Sequence, residues 1–141
     1  MSLAHIFGIA GTALNAQTVR INLSASNLAN AGTTAPTEQE AFRGKRAVFQ
    51  ALLDKEKANL GAPAVGGVKV SSVVDLKTSP QRIYEPGHPD ADANGFLYKS
   101  NISEVGEMVE MMAAARSFQN NVEVVNTARE LSLRTLDTIK S

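Results

Sequence analysis

Near the N-terminus, apolar residues recur at the spacing of an amphipathic helix. Positions 3, 7, 10, 14, 17, 21, 24 and 28 step by four and three alternately, and only Gln17 and Ser24 among them are polar. Such a heptad-like series is typical of a helix that packs along one seam against another helix. Gly8 and Gly11 lie in this stretch, and each costs about 1 kcal/mol of helix stability relative to alanine. The N-terminal helix is therefore predicted to need a partner.

The C-terminal stretch repeats this design over a longer distance. Eight of ten positions spaced by three and four from Met108 to Ile139 are apolar. Asn101 or Ser103 is placed to cap the start, and early acidic and late basic residues match the helix dipole. The pattern predicts one helix of about 35 residues, roughly 50 Å long. A small globule buries only part of such a helix, which favours assembly with other chains.

Between residues 33 and 100 the periodicity changes from helical to alternating. In VKVSSVVDLK, the residues Val68, Val70, Val74 and Leu76 share one face with Ser72. This alternation predicts a half-buried strand, and RIYE and GFLYK are two further short strand candidates. The segment AVFQALLDKEKA fits either a strand or a helix.

These patterns together predict a mainly α fold with a small β-rich insert. The N-terminal assembly helix occupies residues 1–32, a loop and β-rich middle domain residues 33–100, and the long C-terminal assembly helix residues 101–141. The two amphipathic helices are expected to form a coiled-coil-like seam, with short antiparallel strands between them. Exposed apolar stripes on such helices predict association between chains.

Composition narrows the possible functions. The 141 residues carry a formal net charge of zero and 5% aromatic residues, without tryptophan. A nucleic-acid binder normally shows a basic patch, and the cluster of Arg43, Lys45 and Arg46 is interpreted as a solvated face. The sequence lacks cysteine, so disulfide and thiolate chemistry are excluded. The first basic residue is Arg20, so a Sec signal peptide is not expected.

One motif resembles a metal site. In DADANG, the residues Asp90, Asp92, Asn94 and Gly95 match positions one, three, five and six of an EF-hand loop. The twelfth position, normally a bidentate glutamate, is Asn101, and upstream prolines prevent an entering helix. A turn before a strand is the simpler interpretation. A small calcium-binding module using Asp90, Asp92 and Asn94 is the alternative function.

Catalytic motifs are absent from the sequence. The two histidines, His5 and His88, have no neighbouring cysteine or histidine with which to form a zinc site. The chain contains no G-x-S-x-G elbow, no P-loop and no G-x-G-x-x-G fingerprint. A hydrolase with an unrecognised site would need His5 or His88 to meet a serine and a carboxylate. The sequence thus predicts a non-enzymatic protein with no cofactor, nucleic acid or small-molecule substrate.

Three blocks of sequence resemble a known family. ALNAQTVRINLSASNLANAGTT, centred on residues 26–34, resembles the N-terminal signature of the bacterial flagellar axial proteins, the rod and hook family. VGEMVEMMAAARSFQNNVEVVNTARELSLRTLDTI resembles the helix that ends these proteins. EPGHPDADANGFLYKSNI is similar to the turn before a short strand in the family's short proximal rod subunits. Residues 36–67 match less well, and the resemblance favours an extended segment there.

The resemblance implies a structural subunit of the proximal rod, the shaft that crosses the periplasm and transmits motor torque. It implies as partners other rod subunits, further copies of the chain and the flagellar type III export apparatus, through which such subunits pass without a cleaved signal peptide. Their termini order on assembly, which agrees with a glycine-weakened N-terminal helix. The terminal helices are expected to pair in the inner wall of a tube, with the β-rich insert outside.

The asparagines of SNLANAGTT are expected to act at the end of the first helix. Asn27 and Asn30 share a face there, where they can cap backbone groups or bond to a neighbouring subunit, and Gly32 ends the helix. The hypothesis is that this boundary is an inter-subunit contact. The full predicted assembly interface is Leu3, Phe7, Leu14, Ile21, Asn27, Leu28, Asn30, Met108, Met111, Phe118, Val122, Val125, Leu136 and Ile139.

Overall fold

Two long helices flank a set of short strands in the computed structural model of the chain, which describes residues 3–52 and 66–140. The side chains of Leu3 and Ile139 lie outside what it describes. No helix in these two ranges is long and apolar enough to cross a membrane. In chain order the elements are α1 Leu3–Ala29, β1 Thr34–Ala35, β2 Lys45–Leu52, β3 Gly67–Asp75, β4 Gln81–Tyr84, β5 Phe96–Lys99 and α2 Glu104–Lys140.

The described strands form two small sheets. In the first, β5 lies between β1 and β4 and pairs antiparallel with both, with Ile83 opposite Leu97 and Thr34 opposite Lys99. In the second, β2 and β3 form a two-stranded ribbon. At one end of this ribbon the Leu76 N–H donates to the Gly44 carbonyl at 2.7 Å. The prediction of a mainly α chain with short antiparallel strands is confirmed.

The strand predictions fare differently along the insert. β3, β4 and β5 lie where alternation predicts them, and the ambiguous segment AVFQALLDKEKA is a strand as far as Leu52. The remainder of that segment, residues 53–58, lies outside the described residues. β1 is not predicted, because two residues are too few to show alternation. On the face predicted to be half-buried, Val68, Val70 and Leu76 are half-buried, whereas Ser72 and Val74 are exposed, Val74 at 45%.

The chain divides into two compact units. Unit 1 comprises Met1–Val19, Val48–Ser72 and Ala113–Ser141, and unit 2 comprises Arg20–Ala47 and Val73–Met112. The fully buried side chains of unit 1, among the described residues, are all alanines: Ala10, Ala16, Ala114 and Ala128. Those of unit 2 are larger and more polar, and they include Ser24, Asn27, Ala31, Ala35, Ala41, Leu97, Ser100 and Glu107.

The buried side of α2 is displaced from the predicted series at alternate positions. Glu107, Ala114 and Ala128 are buried, each one residue before a position of the predicted stripe, and Met108 is 52% exposed. The physical reason is that alanine permits close approach of the helix backbone, whereas the predicted series follows the larger apolar side chains. The coiled-coil-like seam therefore stays a prediction, while the long C-terminal helix itself is present.

Ser103, rather than Asn101, caps the start of α2. The Gly106 N–H donates to Ser103 Oγ at 3.2 Å, which is the geometry of an N-cap. Asn101 instead fastens the end of the ribbon. Its Oδ1 accepts from the Gly44 N–H at 2.8 Å and its Nδ2 donates to the Thr78 carbonyl at 2.6 Å.

Candidate functional site

Asn27 is the most completely enclosed polar residue of the SNLANAGTT motif, with 0% of its surface exposed. Its Oδ1 accepts from the Lys45 N–H at 2.8 Å, and its Nδ2 donates to the Lys45 carbonyl at 2.9 Å. Nδ2 also donates to Glu107 Oε2 at 3.2 Å. One amide side chain thus joins the end of α1 to the start of β2 and the first turn of α2.

Glu107 receives further donors from two other segments. The Arg46 guanidinium donates to both carboxylate oxygens, at 2.9 Å to Oε2 and 2.6 Å to Oε1. The Ser24 hydroxyl also donates to this carboxylate. Paired N–H···O bonds of this kind are the strongest geometry available to an ion pair in proteins. We call Ser24, Asn27, Arg46 and Glu107 the Asn27 cluster.

The cluster keeps its carboxylate ionised despite burial. Glu107 is 2% exposed, and this burial by itself would raise its pKa. The hydrogen bonds from Arg46, Asn27 and Ser24, together with the charge of Arg46, outweigh it and lower the pKa of Glu107 below the ordinary value. The same bond raises the pKa of Arg46. The cluster is therefore an ion pair between a buried carboxylate and a partly exposed guanidinium, with each carboxylate oxygen hydrogen-bonded.

A second ion pair lies beside the cluster in unit 2. Arg20 of α1 donates to Glu110 Oε2 of α2 at 2.5 Å. Both side chains are about one-third exposed, at 32% and 40%, so solvent screens their attraction. This pair adds little stability, but it connects the same two helices as the Asn27–Glu107 bond.

Asn30 has a different and local role. Its Nδ2 donates to the Ser26 carbonyl at 2.8 Å, and its carbonyl accepts from the Thr33 hydroxyl at 2.8 Å. These bonds satisfy backbone groups at the end of α1. The expectation that this residue caps the helix is confirmed. For Asn27, the predicted contact with a neighbouring subunit stays a prediction, and its burial requires any such effect to act through the packing of its own chain.

The other predicted interface residues fall into two groups by exposure. Phe7, Met108 and Leu136 are exposed, whereas the rest with described side chains are half-buried. Within unit 1, Ile6, Val124 and Leu131 line an open apolar groove between α1 and α2. Their assembly role stays a prediction. The half-buried members are Leu14, Ile21, Leu28, Met111, Phe118, Val122 and Val125.

The DADANG segment has the geometry of a turn. Asp92 Oδ1 accepts from the Asn94 N–H at 2.8 Å and the Phe96 N–H at 2.9 Å, and Gly95 has a φ of 80°. The Phe96 bond is the main reason that the pKa of Asp92 is lowered. Asp90 Oδ2 accepts from the Thr34 hydroxyl at 2.6 Å. Both carboxylates thus serve the fold, and the calcium-binding alternative finds no support here.

The histidine hypothesis also finds no matching geometry in the described residues. His88 Nδ1 accepts from the Asp90 N–H at 3.1 Å, which makes it part of the same turn. Within residues 3–52 and 66–140 no serine hydroxyl is hydrogen-bonded to either His5 or His88. The part of the chain that the structure describes also contains no group of three or more His, Cys, Asp or Glu side chains able to hold a metal.

Three members of the Asn27 cluster were misjudged from the sequence. Ser24 reads as a break in the apolar series, Arg46 as part of a solvated basic face, and Glu107 as a dipole-matching residue at a helix start. The available signal was that Glu107 and Ala114 stand seven residues apart, one residue before the chosen stripe. The partnership with Arg46 carries no sequence signal, because 61 residues separate the two.

Comparison with known proteins gives a consistent result. Residues 93–138 match the family described as flagellar basal body rod FlgEFG protein C-terminal. The chain is 46% identical over 136 residues to the flagellar basal-body rod protein FlgC of Salmonella typhimurium, covering 96% of this chain and 97% of that protein. Escherichia coli O157:H7 FlgC is 47% identical with the same coverage. Bacillus subtilis FlgC is 29% identical over 148 residues, covering 97% and 98%.

Proposed function

The chain belongs to the FlgC family of flagellar basal-body rod proteins, and we propose that it polymerises through its two long helices into the proximal rod, the shaft that transmits motor torque across the periplasm. Its partners in this proposal are other copies of the chain and other rod subunits. The proposed role is mechanical, so the chain acts without catalysis, cofactor or nucleic acid.

An exposed apolar face at the start of α2 carries this proposal. Val105, Met108, Val109 and Met112 are 73%, 52%, 54% and 61% exposed. They stand at i, i+3, i+4 and i+7, so they form one stripe on the helix. A contiguous apolar stripe on a soluble chain is typical of a surface that another protein covers. Methionines suit such a surface, because their side chains adapt to different neighbours.

The glycines of α1 support the same proposal. Among the described residues, no atom other than the helix's own backbone and chain neighbours lies within 4 Å of a Cβ built on Gly8 or Gly11. Each glycine costs the helix about 1 kcal/mol relative to alanine. No described atom of the chain would clash with a side chain at these positions, so packing within the chain does not require glycine. A helix of another subunit that approaches the backbone closely here accounts for glycine at these two positions.

Charge substitution on α2 tests the assembly surface. We expect Met112→Lys to abolish swimming and the recovery of rods in isolated basal bodies from a strain lacking its own copy. Urea unfolding of the purified variant should match wild type, because Met112 is exposed. Gln119→Lys is the matched control, since it adds the same charge one heptad further along, where the wild-type residue is already polar. Normal rods with Met112→Lys, or equal loss with both, would contradict the proposal.

The glycine argument has its own test. Gly8→Ala and Gly11→Ala should raise the helicity of the isolated chain, yet lower rod assembly. Asn15→Ala is the control, because it also raises helix propensity on the exposed side of α1 but removes bulk instead of adding it. If the control impairs assembly as strongly as the glycine variants, helicity and not close approach is the cause.

Export is the remaining part of the proposal. The chain is proposed to pass through the flagellar type III apparatus without cleavage of a signal peptide, a proposal that rests on its membership of the FlgC rod family. Mass spectrometry of the protein in purified basal bodies checks this. A mass lacking an N-terminal segment would exclude it.

A further inference from the structure

The Asn27 cluster contributes little stability for a group so deeply buried. Removing the Glu107 carboxylate from water is costly even though the partly exposed Arg46 pairs with it, and ion pairs buried in this way are often no more stabilising than apolar residues of the same volume. Glu107 is nevertheless 2% exposed and Asn27 0% exposed. A packing explanation alone would favour leucine or methionine at these positions. The cluster must therefore supply something that apolar side chains do not.

The buried alanines that follow the cluster along the chain do not fix the position of one helix along the axis of the other. Ala31, in the turn after α1, is 1% exposed, and Ala114, in the part of α2 that belongs to unit 1, is 0% exposed. An alanine methyl makes short contacts that resemble those of any other alanine, so a slip of one helix past another by one turn changes such contacts little. Such a slip moves the chain by about 5.4 Å. The alanines therefore do not oppose it strongly.

The hydrogen bonds of the cluster oppose that slip directly. Asn27 bonds both peptide groups of Lys45 and one oxygen of Glu107, at 2.8 to 3.2 Å. A displacement of one turn breaks all three bonds and leaves the buried Asn27 amide without partners, which is far costlier than losing an apolar contact. A single buried asparagine fixes the register of coiled coils in this way.

We propose that the Asn27 cluster is a register device, in which Asn27 and Glu107 fix the axial position of α1 against α2 and against the start of β2 in unit 2. Asn27 and Glu107 are positioning residues, and Arg46 keeps the Glu107 carboxylate charged and oriented. The device belongs to the isolated chain and does not depend on polymerisation into a rod. It exchanges stability for one defined arrangement of the helices.

The test separates register from stability. The triple variant Asn27→Leu, Arg46→Met, Glu107→Met replaces the cluster by apolar side chains, and its urea midpoint should equal or exceed that of wild type. Spin labels on cysteines introduced at Asn22 and Val109, both exposed, report the distance between α1 and α2. The sequence has no other cysteine, so the labels attach only there.

The expected result is one narrow distance in the wild-type background and a broadened or multiple distribution in the triple variant, with components about 5 Å apart. A label pair at Glu104 and Gln119, within α2, should be unchanged in both backgrounds. A single narrow α1–α2 distance in the folded triple variant would overturn the proposal. So would a triple variant that fails to fold, since the cluster would then serve stability, or a broad distribution in the wild-type background.

Discussion

At the scale of single residues, the Asn27 side-chain amide is complementary to the backbone N–H and carbonyl of one residue, Lys45. Its oxygen accepts from the Lys45 N–H while its nitrogen donates to the carbonyl of the same residue. A second amide hydrogen remains for Glu107. Aspartate offers no donor to the carbonyl and adds a negative charge beside a carboxylate. Serine and threonine are too short to make both bonds. Few side chains other than asparagine meet these demands.

Truncation of the two asparagines should have unequal effects on the fold. Asn27→Ala leaves the Lys45 N–H without its acceptor and removes the shorter of two bonds to the Lys45 carbonyl and one of two bonds to Glu107 Oε2. An unsatisfied buried group costs about 1–3 kcal/mol. We expect a loss of about 2–4 kcal/mol in the free energy of unfolding. Asn30→Ala should cost less than about 1 kcal/mol, since water can replace a partly exposed cap. Urea denaturation of the full chain checks this, and equal losses would contradict it.

Because folding lowers the pKa of Glu107, the free energy of unfolding depends on pH in the acidic range. Folding lowers the pKa of this carboxyl from its ordinary value of 4.5, so the folded state favours the ionised form. Its contribution is therefore complete above pH 4.5 and is lost as the pH falls below that value through the lower folded pKa. We expect the wild-type urea midpoint to decline in this window.

Glu107→Gln separates this residue from other acid-sensitive groups. The variant should be less stable than wild type at pH 7, because the partly buried Arg46 loses its counter-ion. The decline of its urea midpoint as the pH falls below 4.5 should be shallower than that of wild type. The part that remains includes Asp92, whose pKa is lowered by the hydrogen bond from the Phe96 N–H. Parallel pH profiles for the two proteins would show that Glu107 does not titrate as argued.

At the scale of elements, periodicity located the two helices and three of the strands but not which side of α2 packs. A series that steps by three and four from Met108 and one that starts at Glu107 coincide at every second position, such as Met111. Which of these two faces of α2 is buried depends on the residues that pack against it. Glu107 is buried because Arg46 and Asn27 reach it, and a periodicity of apolar residues cannot encode that. The turn at Asp92 was foreseen, because Asp-x-Asn-Gly carries its own local hydrogen bonds.

That turn depends on the glycine that closes it. Gly95 has a φ of 80°, and a Cβ there would lie 2.9 Å from Pro86 Cβ and from Tyr84 Cε2. We expect Gly95→Ala to lower the free energy of unfolding by about 2 kcal/mol, from backbone strain and the displaced neighbours. Gly87→Ala in the same loop is the control, because a Cβ at Gly87 meets nothing described within 4 Å. Thermal unfolding that shifts equally for both variants would contradict this account.

At the scale of the whole molecule, the two units differ in what holds them together. The described side chains that are fully buried in unit 1 are alanines, whereas unit 2 buries Leu97 and the Asn27 cluster's amide, hydroxyl and carboxylate. Burying an alanine methyl removes little apolar area from water, and hydrophobic stabilisation scales with that area. Both long helices run through both units. One helix should therefore be unequally stable along its own length.

Hydrogen exchange on the isolated full-length chain measures this gradient. Amides of α2 in unit 2, residues 104–112, should exchange more slowly than those of residues 113–140, and residues 20–29 of α1 more slowly than residues 3–19. The reason is that opening free energies follow local burial and hydrogen bonding. Asn27→Ala should raise exchange in residues 20–29 and 104–112 and leave the faster parts of both helices almost unchanged. Uniform protection along each helix would show that the alanine-packed unit is as stable as its neighbour, and that the chain needs no partner to order its ends.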